Sequence, residues 1–131
     1  MVAEILLIDD EPQVLHLLKM MLEREGHNVT TAENGEEGLK NLRTGSYELV
    51  VTDLFMDGQD GLSTIMEMRR DNRNMPIIAI SGGGWTASGA DYLDVARKMG
   101  VDCTFTKPIS HKKFIETVQQ LLTDKEAEQG Q

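Results

Sequence analysis

Five short apolar runs punctuate this chain, each closing on a polar residue and, after a short connection, giving way to a stretch with helical periodicity. Ala3 to Ile8 reads as a buried strand, because it is short, apolar and ended by acids. Glu11-Pro12 then opens a helix, with Asp10 suited to cap it and proline tolerated in the first turn. Val14, Leu17, Leu18, Met21 and Leu22 recur at helical spacing, and Gly26 stops the helix. Asn28 to Thr31 makes a second strand, and Asn34 caps a helix through about Arg43 with Leu39 and Leu42 facing inward. Tyr47 to Thr52 reads as a third buried strand ending at Asp53. After a loop, Leu62, Ile65, Met66 and Arg69 mark one face of a third helix.

Met75-Pro76 precedes a fourth strand, Ile77 to Ile80, which ends at Ser81. A glycine-rich loop follows. Tyr92, Val95, Ala96 and Met99 then line a fourth helix that Gly100 stops. Val101 to Phe105 is a fifth strand leading to Lys107-Pro108, and Ser110 caps a last helix facing inward through Phe114, Ile115, Val118, Leu121 and Leu122. Such alternation predicts an α/β domain with a parallel sheet covered on both faces, and the near-continuous apolar strands agree with burial on both sides. Right-handed crossovers leave few topologies, and the doubly wound order 2-1-3-4-5 with five helices is expected.

In such a sheet all strands point their carboxyl ends to one edge, where ligands bind at the topological switch point. Asp9 and Asp10 end the first strand, Asp53 the third, Ser81 the fourth, and Lys107 follows the fifth. Three carboxylates brought together repel one another, so a cation is needed to offset them. Oxygen-only ligands favour a hard divalent ion such as Mg2+ (or Mn2+) over zinc. Lys107 can hold a phosphoryl oxygen as a point charge, Ser81 can donate a hydrogen bond, and Gly82 and Gly83 leave room for a phosphate. A central carboxylate can act as the nucleophile and become an aspartyl phosphate.

The chain has 131 residues, the size of one domain, so residues 1–123 are expected to form it and 124–131 an acidic flexible tail. No second output domain is expected. Net charge of −9 opposes binding to nucleic acid or to an anionic membrane. The apolar run at residues 5–8 is far too short for a signal peptide or a membrane span. The lone Cys103 suits a reducing cytoplasm and reads as a small buried hydrophobe. His16, His27 and His111 show no metal spacing and are expected at the surface. The methionines, among them Met20, Met21, Met66 and Met99, are expected to fill core. The Gly82-Gly83-Gly84 run lacks the following Gly-Lys-Ser/Thr of a nucleotide loop.

With Asp9-Asp10, Asp53, Ser81 and Lys107-Pro108 in this order, the sequence resembles the receiver domain of two-component response regulators, of the stand-alone, chemotaxis-regulator-like type. The likeness runs from about Glu4 to Leu122, and Met56 and Gly61 also fall where that family commonly has Met and Gly. It implies a flavodoxin-like fold and phosphorylation of Asp53 by a sensor histidine kinase or histidine phosphotransfer protein. It further implies a metal held by Asp10, Asp53 and the backbone carbonyl of Phe55, with Asp9 acting through water. Lys107 would contact the phosphoryl group, its peptide bond to Pro108 would be cis, and Ser81 would swing toward the phosphate. Signal would leave through a downstream protein target at the fourth helix, fifth strand and fifth helix, with Thr104, Phe105 and Trp85 as surface candidates. Thr104 departs from the pattern, because the family usually has an aromatic residue there.

Two other functions fit parts of the pattern. One is a receiver-like interaction module that works without phosphate. The other is a Mg2+-dependent aspartyl-phosphate hydrolase, which would need a second Asp two residues after the nucleophile, where Phe55 stands.

Overall fold

The computed structural model describes residues 2–56, 59–72, 74–82 and 94–129. Its elements are β1 (Glu4–Ile8), α1 (Pro12–Arg24), β2 (Asn28–Ala32), α2 (Gly35–Thr44), β3 (Leu49–Asp53), β4 (Phe55–Met56) and β5 (Gln59–Asp60). There follow α3 (Leu62–Asp71), β6 (Ile77–Ser81), α4 (described over residues 94–98), β7 (Cys103–Thr106) and α5 (His111–Gln129). The main sheet has five parallel strands in the order β2-β1-β3-β6-β7. This is the doubly wound topology expected from the alternation of strands and helices.

Alternate residues of each central strand face opposite layers. Ile5 and Leu7 of β1, Val51 of β3, and Ile78 and Ile80 of β6 pack with Leu15, Leu18 and Leu22 of α1 and Phe114, Val118 and Leu122 of α5. Leu6, Ile8, Val50 and Ile77 point the other way, to Leu39 and Leu42 of α2 and Met68 of α3. Leu54, Ile65, Ala79 and Ala96 make a third cluster between β6, α3 and α4. With both faces covered, β1, β3 and β6 are buried almost throughout.

Local signals set several boundaries. Asn34 Oδ1 accepts the Glu37 N–H at 2.8 Å and caps α2, and the Ser110 hydroxyl accepts the Lys113 N–H at 3.3 Å at the start of α5. Gly26 and Gly100 take positive φ after α1 and α4, a conformation that costs glycine least. At the amino-terminal edge of the sheet, Arg69 ties three segments together. Its guanidinium donates to the carbonyls of Met75 (2.5 Å) and Gly100 (2.7 Å), and Asp102 Oδ2 takes both Arg69 and the Ile77 N–H.

The structure corrects several expectations. Asp10 does not cap α1: Glu11 occupies the N-cap position, with no side-chain cap bond. Leu17 and Met20 are exposed on α1, whose inward seam is Leu15, Leu18, Met21 and Leu22, and Leu15 was not anticipated. On α3 the seam passes through Ile65 and Met68, three residues apart, and leaves Met66 53% exposed. Val95 is likewise exposed, while Ala96 is buried and Met99 partly so; Tyr92 lies outside the described residues. Met20 and Met66 therefore do not fill core.

His27 is buried rather than at the surface, because its Nδ1 accepts the Ala3 N–H at 3.1 Å and so completes the start of β1. Cys103 is half-buried against the first core cluster. The residues after Asp53 form the antiparallel pair β4–β5 where a plain loop was expected. Helix α5 runs to Gln129, past the expected boundary at Thr123. Glu, Lys, Ala and Gln favour a helix there, and Gln120 bonds Asp124 one turn on.

Candidate functional site

Strand register brings the polar chain positions to one edge. Ile8 is level with Thr52, Asp53 with Ile80, and Ser81 with Thr106. Asp9 follows β1 directly, Asp53 and Ser81 are the last residues of β3 and β6, and Lys107 follows β7. Backbone bonds fix these ends: Asp9 N–H donates to Ala32, Leu54 N–H to Ile80 at 2.8 Å, and Lys107 N–H to Ser81 at 2.8 Å. Asp9 and Asp53 are each 2% exposed and Ser81 4%. Buried carboxylates need a partner, and Lys107 provides one. Its Nζ lies 2.8 Å from Asp53 Oδ2, 3.2 Å from Asp9 Oδ2 and 2.6 Å from Glu11 Oε1.

Asp9, Asp10, Glu11 and Asp53 each offer a carboxylate oxygen within 4.8 Å of the others. One lysine does not offset so many negative charges. The pKa of Asp9 is raised from the ordinary 3.8 to about 6. Burial raises it most; the Glu11 N–H on Asp9 Oδ1 lowers it, the charge of Asp53 raises it again, and Lys107 lowers it. Burial opposes the charge on Lys107, but hydrogen bonds to Asp53 and Glu11 and the charges of Asp53 and Asp9 outweigh it and push its pKa above the ordinary lysine value. Asp9 Oδ2 is a buried oxygen without a hydrogen bond, despite the lysine 3.2 Å away. An all-oxygen, electron-rich cluster with such an oxygen fits a hard divalent cation.

The glycines beside the site make room. A Cβ on Gly61 would stand 2.8 Å from the carbonyl oxygen of Asp53, and the Gly61 N–H donates to the Leu54 carbonyl, so the chain doubles back against the end of β3. A Cβ on Gly82 would touch the Lys107 stem, at 3.4 Å from Cδ. The Lys107–Pro108 peptide is cis.

The edge thus unites Asp9, Asp10, Asp53 and Lys107, with Ser81 at the end of the strand between β3 and β7. Phe55 opens β4, two residues beyond Asp53. Thr104 and Phe105 diverge on β7. The Thr104 hydroxyl accepts from Arg97 of α4 at 3.0 Å, whereas Phe105 packs edge-to-face on Phe114 of α5, with ring centroids 5.7 Å apart. Trp85 and Gly83 lie outside the described residues. From the sequence, Glu11 is expected only to open the first helix with Pro12. Its neighbours Asp9 and Asp10 are the only signal that would have flagged it.

Residues 5–119 match the family model of the response regulator receiver domain. The sequence is 36% identical over 120 residues to the transcriptional regulatory protein GlrR of Escherichia coli, covering 92% of this chain and 26% of that protein. It is 33% identical to ResD of Bacillus subtilis, covering 92% of this chain and 48% of that one. The chain thus spans about a quarter to a half of these curated relatives. Among solved structures, NtrX of Brucella abortus superposes with a TM-score of 0.89 at 26% identity, covering 99% of this chain and 29% of that chain. A response regulator receiver domain protein of Clostridium thermocellum does so with 0.84 at 28% identity, covering 95% and 98%.

Proposed function

Because the chain belongs to the response regulator receiver domain family, we propose that it is a phosphoacceptor signalling switch in which Asp53 takes a phosphoryl group. The observation that carries this reading is the Lys107 ammonium 2.8 Å from the buried Asp53, within a cluster of four acids of which Asp9 is also buried. The donor is a phosphohistidine on a sensor histidine kinase or a phosphotransfer protein. Asp53 attacks phosphorus through a carboxylate oxygen; the P–N bond breaks and its electron pair returns to the imidazole.

Asp9, Asp10, Asp53 and the Phe55 carbonyl are the groups to hold Mg2+ (or Mn2+). Such an ion supplies positive charge against the carboxylates and the phosphoryl oxygens. Lys107 neutralises a further phosphoryl oxygen, while the Ser81 hydroxyl and the Gly82 N–H can donate to another. Phe55 stands two residues after Asp53, where such a hydrolase would need an acid–base Asp, so the chain is read as its own substrate rather than as a hydrolase. The new charge beside Ser81 and Lys107 shifts the population of loop arrangements toward a protein target at α4, β7 and α5. The lone half-buried cysteine agrees with a cytoplasmic setting, and no described helix is long and apolar enough to cross a membrane.

The test is intact-protein mass after incubation with acetyl phosphate and Mg2+. One phosphate on the wild type, absent from Asp53→Asn and from samples with chelator, supports the switch. Equal phosphate on the Asp53→Asn variant would refute it.

A further inference from the structure

Lys107 holds two kinds of carboxylate. Those of Asp53 and Asp9 are buried, while that of Glu11, at 2.6 Å the nearest of the three, is 58% exposed. Glu11 is fixed at its backbone, where its N–H donates to Asp9 Oδ1 at 2.9 Å. It stands at the N-cap of α1, yet its side chain is not spent on capping that helix. Its carboxylate therefore presents a negative charge on the solvent side of the same ammonium that serves Asp53.

The geometry points to Glu11 as a specificity-determining residue, an anionic gate on Lys107 that discriminates among phosphodonors by their charge. This rests on the reading of Asp53 as acceptor. A donor that brings its phosphoryl oxygens to Lys107 Nζ must share that ammonium with the Glu11 carboxylate. Each additional negative charge on the donor is then repelled at close range, which in water-like surroundings slows engagement by about fivefold. A dianionic small molecule is handicapped more than a monoanionic one.

The discriminating experiment compares acetyl phosphate, a dianion, with phosphoramidate, which carries a single net negative charge at neutral pH. Initial phosphorylation rates are measured by intact mass at saturating Mg2+ and low ionic strength for wild type, Glu11→Gln and Glu11→Asp. Glu11→Gln is expected to raise the acetyl phosphate to phosphoramidate rate ratio by about fivefold. That shift should vanish near 1 M salt, where charges are screened beyond about 3 Å. Glu11→Asp keeps the charge and should stay within about twofold of the wild-type ratio. An unchanged ratio in Glu11→Gln, a shift that survives high salt, or an equal shift in Glu11→Asp overturns the gate. Wild type that accepts phosphate from neither donor overturns the acceptor reading instead, and the gate with it.

Discussion

The ammonium of Lys107 stands 2.8 Å from Oδ2 of Asp53 and so joins the ends of two strands, β7 and β3, that are not neighbours in the sheet. Lys107→Met removes the positive charge that would compete with a bound cation for these carboxylates. Mg2+ affinity should therefore rise by about fivefold to tenfold in calorimetric titration. Phosphorylation by acetyl phosphate should nevertheless slow by about 100-fold or more, because a pre-placed positive group has been lost from the phosphoryl oxygens. Weaker metal binding together with an unchanged rate would remove Lys107 from the site.

Asp9 makes the metal-free fold dependent on pH. Its folded pKa, about 6, lies above the ordinary 3.8. A raised value means the folded state prefers the protonated acid, so this contribution to stability is present below 3.8 and lost as pH rises through about 6. In urea unfolding with chelator, Asp9→Asn should be more stable than wild type by about 1–3 kcal/mol at neutral pH, with the difference shrinking toward pH 4. Mg2+ should stabilise wild type more than the variant.

Gly61 is constrained by space, since its φ of −89° is open to any residue. A methyl group at Gly61 meets the backbone oxygen of Asp53 at 2.8 Å and the Leu54 Cα at 3.2 Å, neither of which yields as a flexible side chain does. Gly61→Ala should cost about 1–3 kcal/mol in denaturant unfolding. It should also slow phosphorylation by about tenfold or more through displacement of Asp53.

His27 titrates below its ordinary 6.5, chiefly because burial disfavours the imidazolium. A lowered value means its contribution is present above 6.5 and lost as pH falls below it, when the Nδ1 that accepts from Ala3 must take a proton. His27→Leu should destabilise the protein by about 1–2 kcal/mol at neutral pH. The gap between wild type and variant in chemical unfolding should close as the pH falls toward about 5.

The sheet was legible because five apolar runs leave few topologies, and the site because four of them end on, or lead into, acids, a hydroxyl or a lysine. Helix faces were less legible. Leu17 and Met66 fit an apolar spacing as well as Leu15 and Met68 do, and only the packing against β1 and β6 selects between them. His27 was missed because its partner is a backbone N–H of Ala3, which no side-chain pattern announces. Glu11 was underread for a similar reason. Its contact with Lys107 spans 96 positions and exists only once β1 and β7 have found their places in the sheet.

The most direct test of the account is the identity of the residue that carries the phosphoryl group. Borohydride reduces an aspartyl phosphate to homoserine, which peptide mass spectrometry locates. After treatment with phosphodonor and Mg2+, homoserine should be found at position 53 alone, and it should be absent when the donor is omitted. Homoserine at position 9 or 10, or phosphorylated protein that yields none at position 53, would contradict the assignment of Asp53 as the acceptor.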